Sequence, residues 1–152
     1  MADIVPAEVR SRMMAGIGGK NTKPELILRK GLHAAGFRFR IHVADLPGKP
    51  DIVLPRFRAV IFAHGCFWHG HDCHLFKIPS TRTEFWQAKI DRNREVDARN
   101  RSQLTDAGWR QAVVWECALK GRTKLAHDEV IDSCAQWLQS DTQALEIRGV
   151  GE

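Results

Sequence analysis

The sequence predicts an α/β domain with a mixed central sheet flanked by helices. Segments read as helical, at 22–36, 80–107 and 128–139, alternate with apolar runs of strand length at Ile52–Leu54, Ala59–Phe62 and Trp109–Trp115. At 152 residues the chain can bury one core without staples and needs no second domain. It contains no internal repeat and no low-complexity tract.

The elements follow in order. Residues 1–21 are polar, glycine-containing and basic, with Arg10, Arg12 and Lys20 around Met13, Met14 and Ile17. Such an arm can reach over nucleic acid and press apolar side chains against bases, and the same composition fits a frayed terminus. Thr22, Pro24 and Glu25 then have the spacing of a capped helix start, with Glu25 in a capping-box position. Leu28, Leu32 and Ala35 share a face before Gly36 ends the helix. Phe37, Phe39, Ile41 and Val43 alternate with Arg38, Arg40 and His42, which predicts a half-buried strand.

Ile52–Leu54 and Ala59–Phe62, joined by Pro55-Arg56-Phe57, predict a hairpin. Start signals at 80–84 open a long polar helix to about Ala107, with Phe85, Trp86 and Ile90 near its start and Arg92, Arg94, Arg99 and Arg101 beyond. Those arginines suit a solvated face or a phosphate backbone. A buried strand over Trp109–Trp115 leads into Glu116-Cys117. In the last helix Val130, Cys134, Trp137 and Leu138 recur at core spacing, which makes Cys134 a packing residue. Folded structure is expected over 22–140, with 141–152 as a tail of weak periodicity.

Composition narrows the function classes. No apolar run near the start has the length of a signal peptide core or a membrane span, so a cytoplasmic protein is expected. The net charge of +5, from 23 Lys and Arg against 18 acids, favours a polyanionic partner. Four cysteines, unevenly spaced and interleaved with histidines, suit a metal in a reducing compartment better than a disulfide framework.

Most of the chemistry is concentrated between Pro47 and His74. Four of the seven histidines, His64, His69, His71 and His74, fall there with Cys66 and Cys73. Cys66, His71 and Cys73 offer three zinc ligands within eight residues, and Cys117 ends a strand that can lie beside the hairpin. The loop from Gly65 to Pro79 has little apolar content, so a metal would supply the order a core cannot. Spacing leaves the nitrogen ligand open among His69, His71 and His74.

Asp51, His64 and His69, with Glu25, form a second set. Phosphodiester cleavage needs a hard cation and groups that move protons, and a carboxylate and imidazoles supply these. As isolated residues they read equally as a turn carboxylate and surface histidines. Phe67-Trp68 and Phe85-Trp86 form a third set, either core packing or a stiff wedge for unstacking bases.

These residues resemble a known family. Pro50-Asp51-Ile52-Val53, Val60-Ile61-Phe62 leading to His64-Gly65-Cys66-Phe67-Trp68-His69, Thr81-Arg82-Thr83-Glu84-Phe85-Trp86, and Gly108-Trp109-Arg110 with Val114-Trp115-Glu116-Cys117-Ala118-Leu119 are similar to the very-short-patch repair (Vsr) endonucleases. The likeness spans roughly residues 10–125. It implies a restriction-endonuclease-like domain preceded by a DNA-contacting arm.

The implied reaction is a Mg²⁺-dependent nick 5′ of the thymine in a T:G mismatch left by deamination of 5-methylcytosine. By the same resemblance Asp51 and the Ala63 carbonyl hold magnesium and His69 moves the proton. Glu25 and His64 hold water, with Asp97 in support. Cys66, His71, Cys73 and Cys117 bind zinc, while Phe67, Trp68, Trp86 and Met14 insert beside the mismatch. The wider superfamily places an acid and a lysine where this chain has Ala63-His64-Gly65, and Ala63 keeps its carbonyl for the metal. The resemblance also implies a monomer acting at the bacterial nucleoid, a companion cytosine methylase and mismatch-repair partners. The rival readings are a non-catalytic zinc-stabilised DNA-binding module and an endonuclease for palindromic, unmismatched sites.

Overall fold

The computed structural model describes residues 22–150. The expected arm, Met14 included, lies outside the described residues. Three helices, α1 (Lys23–Ala34), α2 (Thr83–Asp106) and α3 (His127–Leu138), accompany four strands, β1 (Ile52–Leu54), β2 (Ala59–His64), β3 (Arg110–Trp115) and β4 (Ala144–Ile147). The strands form one mixed sheet in the order β1-β2-β3-β4. β1 and β2 are antiparallel, with Ile52 opposite Ile61, while β2 and β3 run parallel, with His64 opposite Trp115. β4 is parallel to β3.

The hairpin turn is a single 3₁₀ turn over Pro55–Phe57 closed by Arg58 in the left-handed region at φ 50°. α2 carries the chain from β2 to β3, and α3 carries it from β3 to β4, as parallel neighbours require.

Strand alternation sends side chains to two unequal cores. Leu28 and Leu32 of α1, with Val130, Cys134 and Trp137 of α3, pack on Ile52, Leu54, Ile61, Ala112 and Val114. α1 and α3 approach closely: a Cβ on Gly31 would stand 2.4 Å from Ile131. On the opposite face Val53, Val60 and Leu104 form a smaller core with Phe62 and Trp109 packed against it. α2 covers this face while burying only Ile90 and Leu104 among its 24 residues. Much of that helix therefore remains available to polar chemistry.

The helix ends follow sequence chemistry. α1 finishes in a Schellman arrangement, with Phe37 N–H donating to Leu32 O at 3.0 Å and Gly36 N–H donating to His33 O at 3.0 Å. Gly36 supplies the required positive φ of 97°. At the start of α1 the capping box does not form. Thr22 makes no side-chain cap bond, and the Glu25 carboxylate instead accepts from Arg29 at 3.1 Å. A buried carboxylate beside a guanidinium gains more from that charge-assisted bond than from a neutral backbone donor.

Two further expectations need correction. The predicted strand over Phe37–Val43 reduces to a single bridge between Arg40 and Val53. Its alternation is real, but His42 adopts φ 58° and turns the chain away from the edge of β1. Conversely, the segment beyond Ser140, expected as a tail, contributes β4. In that strand Leu145 is half-buried and Ile147 is buried, while Ala144 and Glu146 face outward.

Candidate active site and metal centre

Both clusters lie where the parallel pair β2 and β3 ends, the usual place for function in such sheets. Beyond His64 the chain enters a loop that α2 holds down. Asn93 donates to Trp68 O at 2.8 Å, Arg94 donates to Gly70 O, and Asp97 bonds His69. Gly70, at φ 62°, has no room for a side chain, since a Cβ would lie 2.6 Å from Arg94 and Ile90.

The loop folds around a cluster of Cys66, His71, Cys73 and Cys117, whose ligand atoms all lie within 4.8 Å of one another. His71 Nδ1 stands 3.5 Å from Cys66 Sγ and 3.6 Å from Cys117 Sγ. Zinc bonds of roughly 2.3 Å to sulfur and 2.0 Å to nitrogen, set at a tetrahedral angle, separate those atoms by about 3.5 Å, so the donor set fits that ion. Of the three imidazoles that spacing left open, the fold brings His71 among the sulfurs. Its ring stacks on Trp115 at 3.9 Å and 6°, and its backbone N–H donates to Cys66 O at 2.9 Å. His69 turns instead to Asp97. Cys66 N–H donates to Glu116 Oε1 at 3.1 Å, which ties the loop to the end of β3. Burial raises the Cys66 thiol well above its usual range. Cys134 lies apart in the larger core, fully buried, as its spacing predicts.

The second cluster lines a cleft of about 240 Å³ on the α2 face of the sheet, walled by Lys49, Asp51, Ala63, His64, His69 and Asp97. Asp51 precedes β1, and its Oδ2 accepts the Ala63 N–H at 2.7 Å across the hairpin. Burial first, then a hydrogen bond with Glu25, pushes the Asp51 carboxyl up to about 8. Glu25 is 2% exposed; α1 brings it to Asp51 from the other side of the sheet end.

On the α2 side, His69 Nδ1 and Asp97 Oδ2 are 2.5 Å apart. The His64 ring stacks on His69 at 3.8 Å and 5°. Burial, assisted by the charge of its stacked neighbour, lowers His64 to about 3, so this ring is neutral near pH 7. Among the described residues His64, His69 and Asp97 form a second group with metal-ligand spacing.

The third set is contiguous as well. Phe67 meets Trp68 edge-on at 5.2 Å and Trp86 at 5.5 Å, and Trp68 lies 5.9 Å from Trp86. These rings close on one another at the surface, with Trp68 37% exposed. A second hollow runs from Trp68 and His69 past Glu116 to Thr22 and Lys120.

Sequence reasoning passed over Asn93 and Arg94 as loop clamps, Glu116 as a loop anchor and Arg29 as the partner of Glu25. A signal existed for two of these. Asn93 and Asp97 stand four apart on a helix, as do Glu25 and Arg29, which puts each pair on one face.

The sequence is similar to those of known proteins. The family model for the DNA mismatch endonuclease Vsr matches residues 2–75. The chain is 45% identical over 154 residues to the DNA mismatch endonuclease Vsr of Escherichia coli (strain K12), covering 97% of this chain and 99% of that protein. It is 49% identical over 119 residues to the type II nicking enzyme V.XorIIP of Xanthomonas oryzae pv. oryzae, covering 78% of this chain and 88% of the relative. A third relative, the type II nicking enzyme V.NmeAIP of Neisseria meningitidis, is 46% identical over 122 residues, 80% of this chain and 87% of its own. With near end-to-end likeness to a mismatch endonuclease, and with the imidazole, carboxylate and sulfur clusters assembled where β2 and β3 end, the chain belongs to the DNA mismatch endonuclease Vsr family.

Proposed function

We propose that this protein nicks one strand of duplex DNA on the 5′ side of the thymine in a T:G mismatch arising from deamination of 5-methylcytosine. In this reading its domain is of the restriction-endonuclease-like type, with residues 1–21 as a DNA-contacting arm. The observation that carries the reading is the meeting of Asp51, His64, His69 and Asp97 in one cleft, with Glu25 hydrogen-bonded to Asp51 behind it and the Phe67, Trp68 and Trp86 rings clustered a short loop away.

Magnesium is the proposed cofactor. Its fit rests on Asp51 and Glu25, two carboxyl groups close enough to hydrogen-bond, a crowding of oxygen donors that a hard cation relieves. Asp51 would hold it, and the Ala63 carbonyl is the proposed second contact. Bound there, the ion would polarise the scissile phosphate and make water more acidic.

The side chains divide the remaining work. Asp97 accepts from Nδ1–H of His69, which fixes the tautomer and leaves Nε2 as the atom that gives or takes a proton. His64, neutral by burial, orients water by hydrogen bonding without competing for the proton. Phe67, Trp68 and Trp86 would enter the stack beside the mismatch, a step that needs the rigidity the sulfur cluster gives their loop. Zinc at Cys66, His71, Cys73 and Cys117 is proposed to be structural. The protein would act as a monomer, since every one of these side chains comes from a single chain.

The test is a nicking assay on T:G, C:G and A:T duplexes with matched flanks, with and without Mg²⁺. One cut strand on T:G alone is expected. Mismatch-dependent binding with no cut across divalent metals would replace this reading with a binding module, and double-strand cleavage of paired DNA would replace it with a palindromic-site endonuclease.

A further inference from the structure

Two cations line the cleft from separate elements, and the reaction as described uses neither. Lys49 sits on the turn that leads into β1, and Arg101 lies one helical turn after Asp97 on α2. The acids near them are engaged elsewhere: Asp51 with Ala63 and Glu25, Asp97 with His69. Among the described residues no ion pair joins a carboxylate to Lys49 or Arg101.

Lys49 is also placed at a cost. It adopts φ 47°, directly after Gly48 at φ 77°, a left-handed conformation that strains a residue with a Cβ. The turn is held by the Lys49 N–H donating to Leu46 O at 3.0 Å. It is also pressed against the fold, since a Cβ on Gly48 would be 3.2 Å from Asn100 and Phe62. The result sets Lys49 on the wall shared by two cavities: the cleft above and a neighbouring hollow of about 240 Å³ lined by Glu25, Arg29, His42 and Asp51. A cleft lined by two cations that no carboxylate pairs among the described residues suits a polyanionic strand.

We propose that Lys49 and Arg101, one from the turn before β1 and one from α2, together bind backbone phosphates of the nicked strand next to the scissile one as a clamp, positioning that strand over Asp51 and His69. The clamp rests on the reading of this cleft as the place of cutting. Its groups act by charge and reach, so arginine should replace Lys49 and lysine should replace Arg101 with most of the effect retained.

The experiment measures binding of a T:G duplex to the full chain across a salt series, with wild type, Lys49→Ala, Arg101→Ala, Lys49→Arg and Arg101→Lys. Each alanine variant is expected to lower the slope of log K against log salt by about 0.9, one phosphate contact, and the charge-keeping variants to restore it. In parallel, single methylphosphonates are scanned along the nicked strand with the wild-type protein. At one flanking position the neutral linkage should weaken wild type as much as Lys49→Ala does, and should weaken Lys49→Ala no further. Unchanged slopes, or losses that add at every position, would overturn the clamp. Should an alanine variant fail to fold by thermal melting, Lys49→Gln and Arg101→Gln take its place, and the wild-type scan stands alone: no sensitive linkage next to the nick also overturns it. His69→Ala separates the two ideas. If it is inactive with a normal salt slope the cleft reading holds, and if it nicks normally that reading fails whatever the clamp binds.

Discussion

The sulfur cluster and the carboxylate cleft are near neighbours, yet they are built in opposite ways. Cys66, His71 and Cys117 are buried and Cys73 half-buried, whereas Asp51, His64, His69 and Asp97 are all half-buried. Three of the four cluster residues come from one loop, while the cleft draws on the turn before β1, the end of β2, the loop and α2. The buried set can hold an ion but exchanges little with solvent. The open set can admit water and a phosphate, and burial moves Asp51 and His64 away from their ordinary acidities. If one cluster serves stability and the other chemistry, as proposed, perturbing each should give a different readout.

Removing metal from the sulfur cluster should have the largest effect. With a strong chelator, or with Cys117→Ser, the loop loses a crosslink worth about 10 kcal/mol in comparable sites. Loss of cooperative melting by circular dichroism is expected, together with loss of about one zinc per chain by metal analysis. A chelated protein that melts unchanged would show that the two clusters do not differ in this way.

His69→Ala should do the reverse. Nicking should fall by roughly 10²–10⁴ while the melting temperature stays near wild type and mismatch binding stays within a few-fold. Single-turnover nicking alongside thermal melting checks both halves. Full activity would remove His69 from proton transfer.

The third prediction concerns pH in protein that keeps zinc but is given no magnesium. Asp51 is raised from 3.8 to about 8, so the fold favours its protonated form, and stability falls as pH climbs between those values. His64 is lowered from 6.5 to about 3, so the fold favours its neutral form, and stability falls as pH drops between those values. Each slope approaches about 1.4 kcal/mol per pH unit. They oppose one another between pH 3.8 and 6.5, leaving a net decline from 6.5 to about 8 that belongs to Asp51 alone. Thermal melts of wild type and Asp51→Asn across this range check it; an equal decline in the variant would contradict the assignment.

The smallest effect is expected at the aromatic surface. Trp68→Ala should weaken mismatch binding by about 1–3 kcal/mol, the usual worth of one ring against a base, and leave zinc content unchanged. Fluorescence anisotropy on T:G and C:G duplexes reads this, and equal losses on both would make Trp68 a general rather than a mismatch contact.

Legibility followed sequence distance. Cys66, His71 and Cys73 could be read because a loop too polar to fold alone carried soft ligands at close spacing, and Cys117 because it followed an apolar strand. Spacing left His71, His69 and His74 open and only the family resemblance named His71, because which ring faces the sulfurs depends on the partners that Trp115 and Asp97 take. Glu25 was ambiguous for a similar reason: its capping-box spacing was genuine, but Arg29 one turn along and Asp51, brought by the fold, are stronger partners. Alternation at 37–43 suggested a strand that the edge of β1 accepts at Arg40 alone. β4, four residues long with two inward positions, was too brief to stand out from a tail.

What the amino-acid order determined by itself is local: three helices with their turns, the hairpin and β3, and the loop's sulfur and nitrogen donors, since each depends on spacing within a few residues. The tertiary structure decided which imidazole faces sulfur and which faces a carboxylate, that Glu25 meets Asp51, and that Lys49 and Arg101 line one cleft. Those outcomes depend on the parallel pairing of β2 with β3 and on the packing of α1 and α2 at its end. No interval along the chain encodes such distances, because they exist only once the sheet has brought separate segments to one edge.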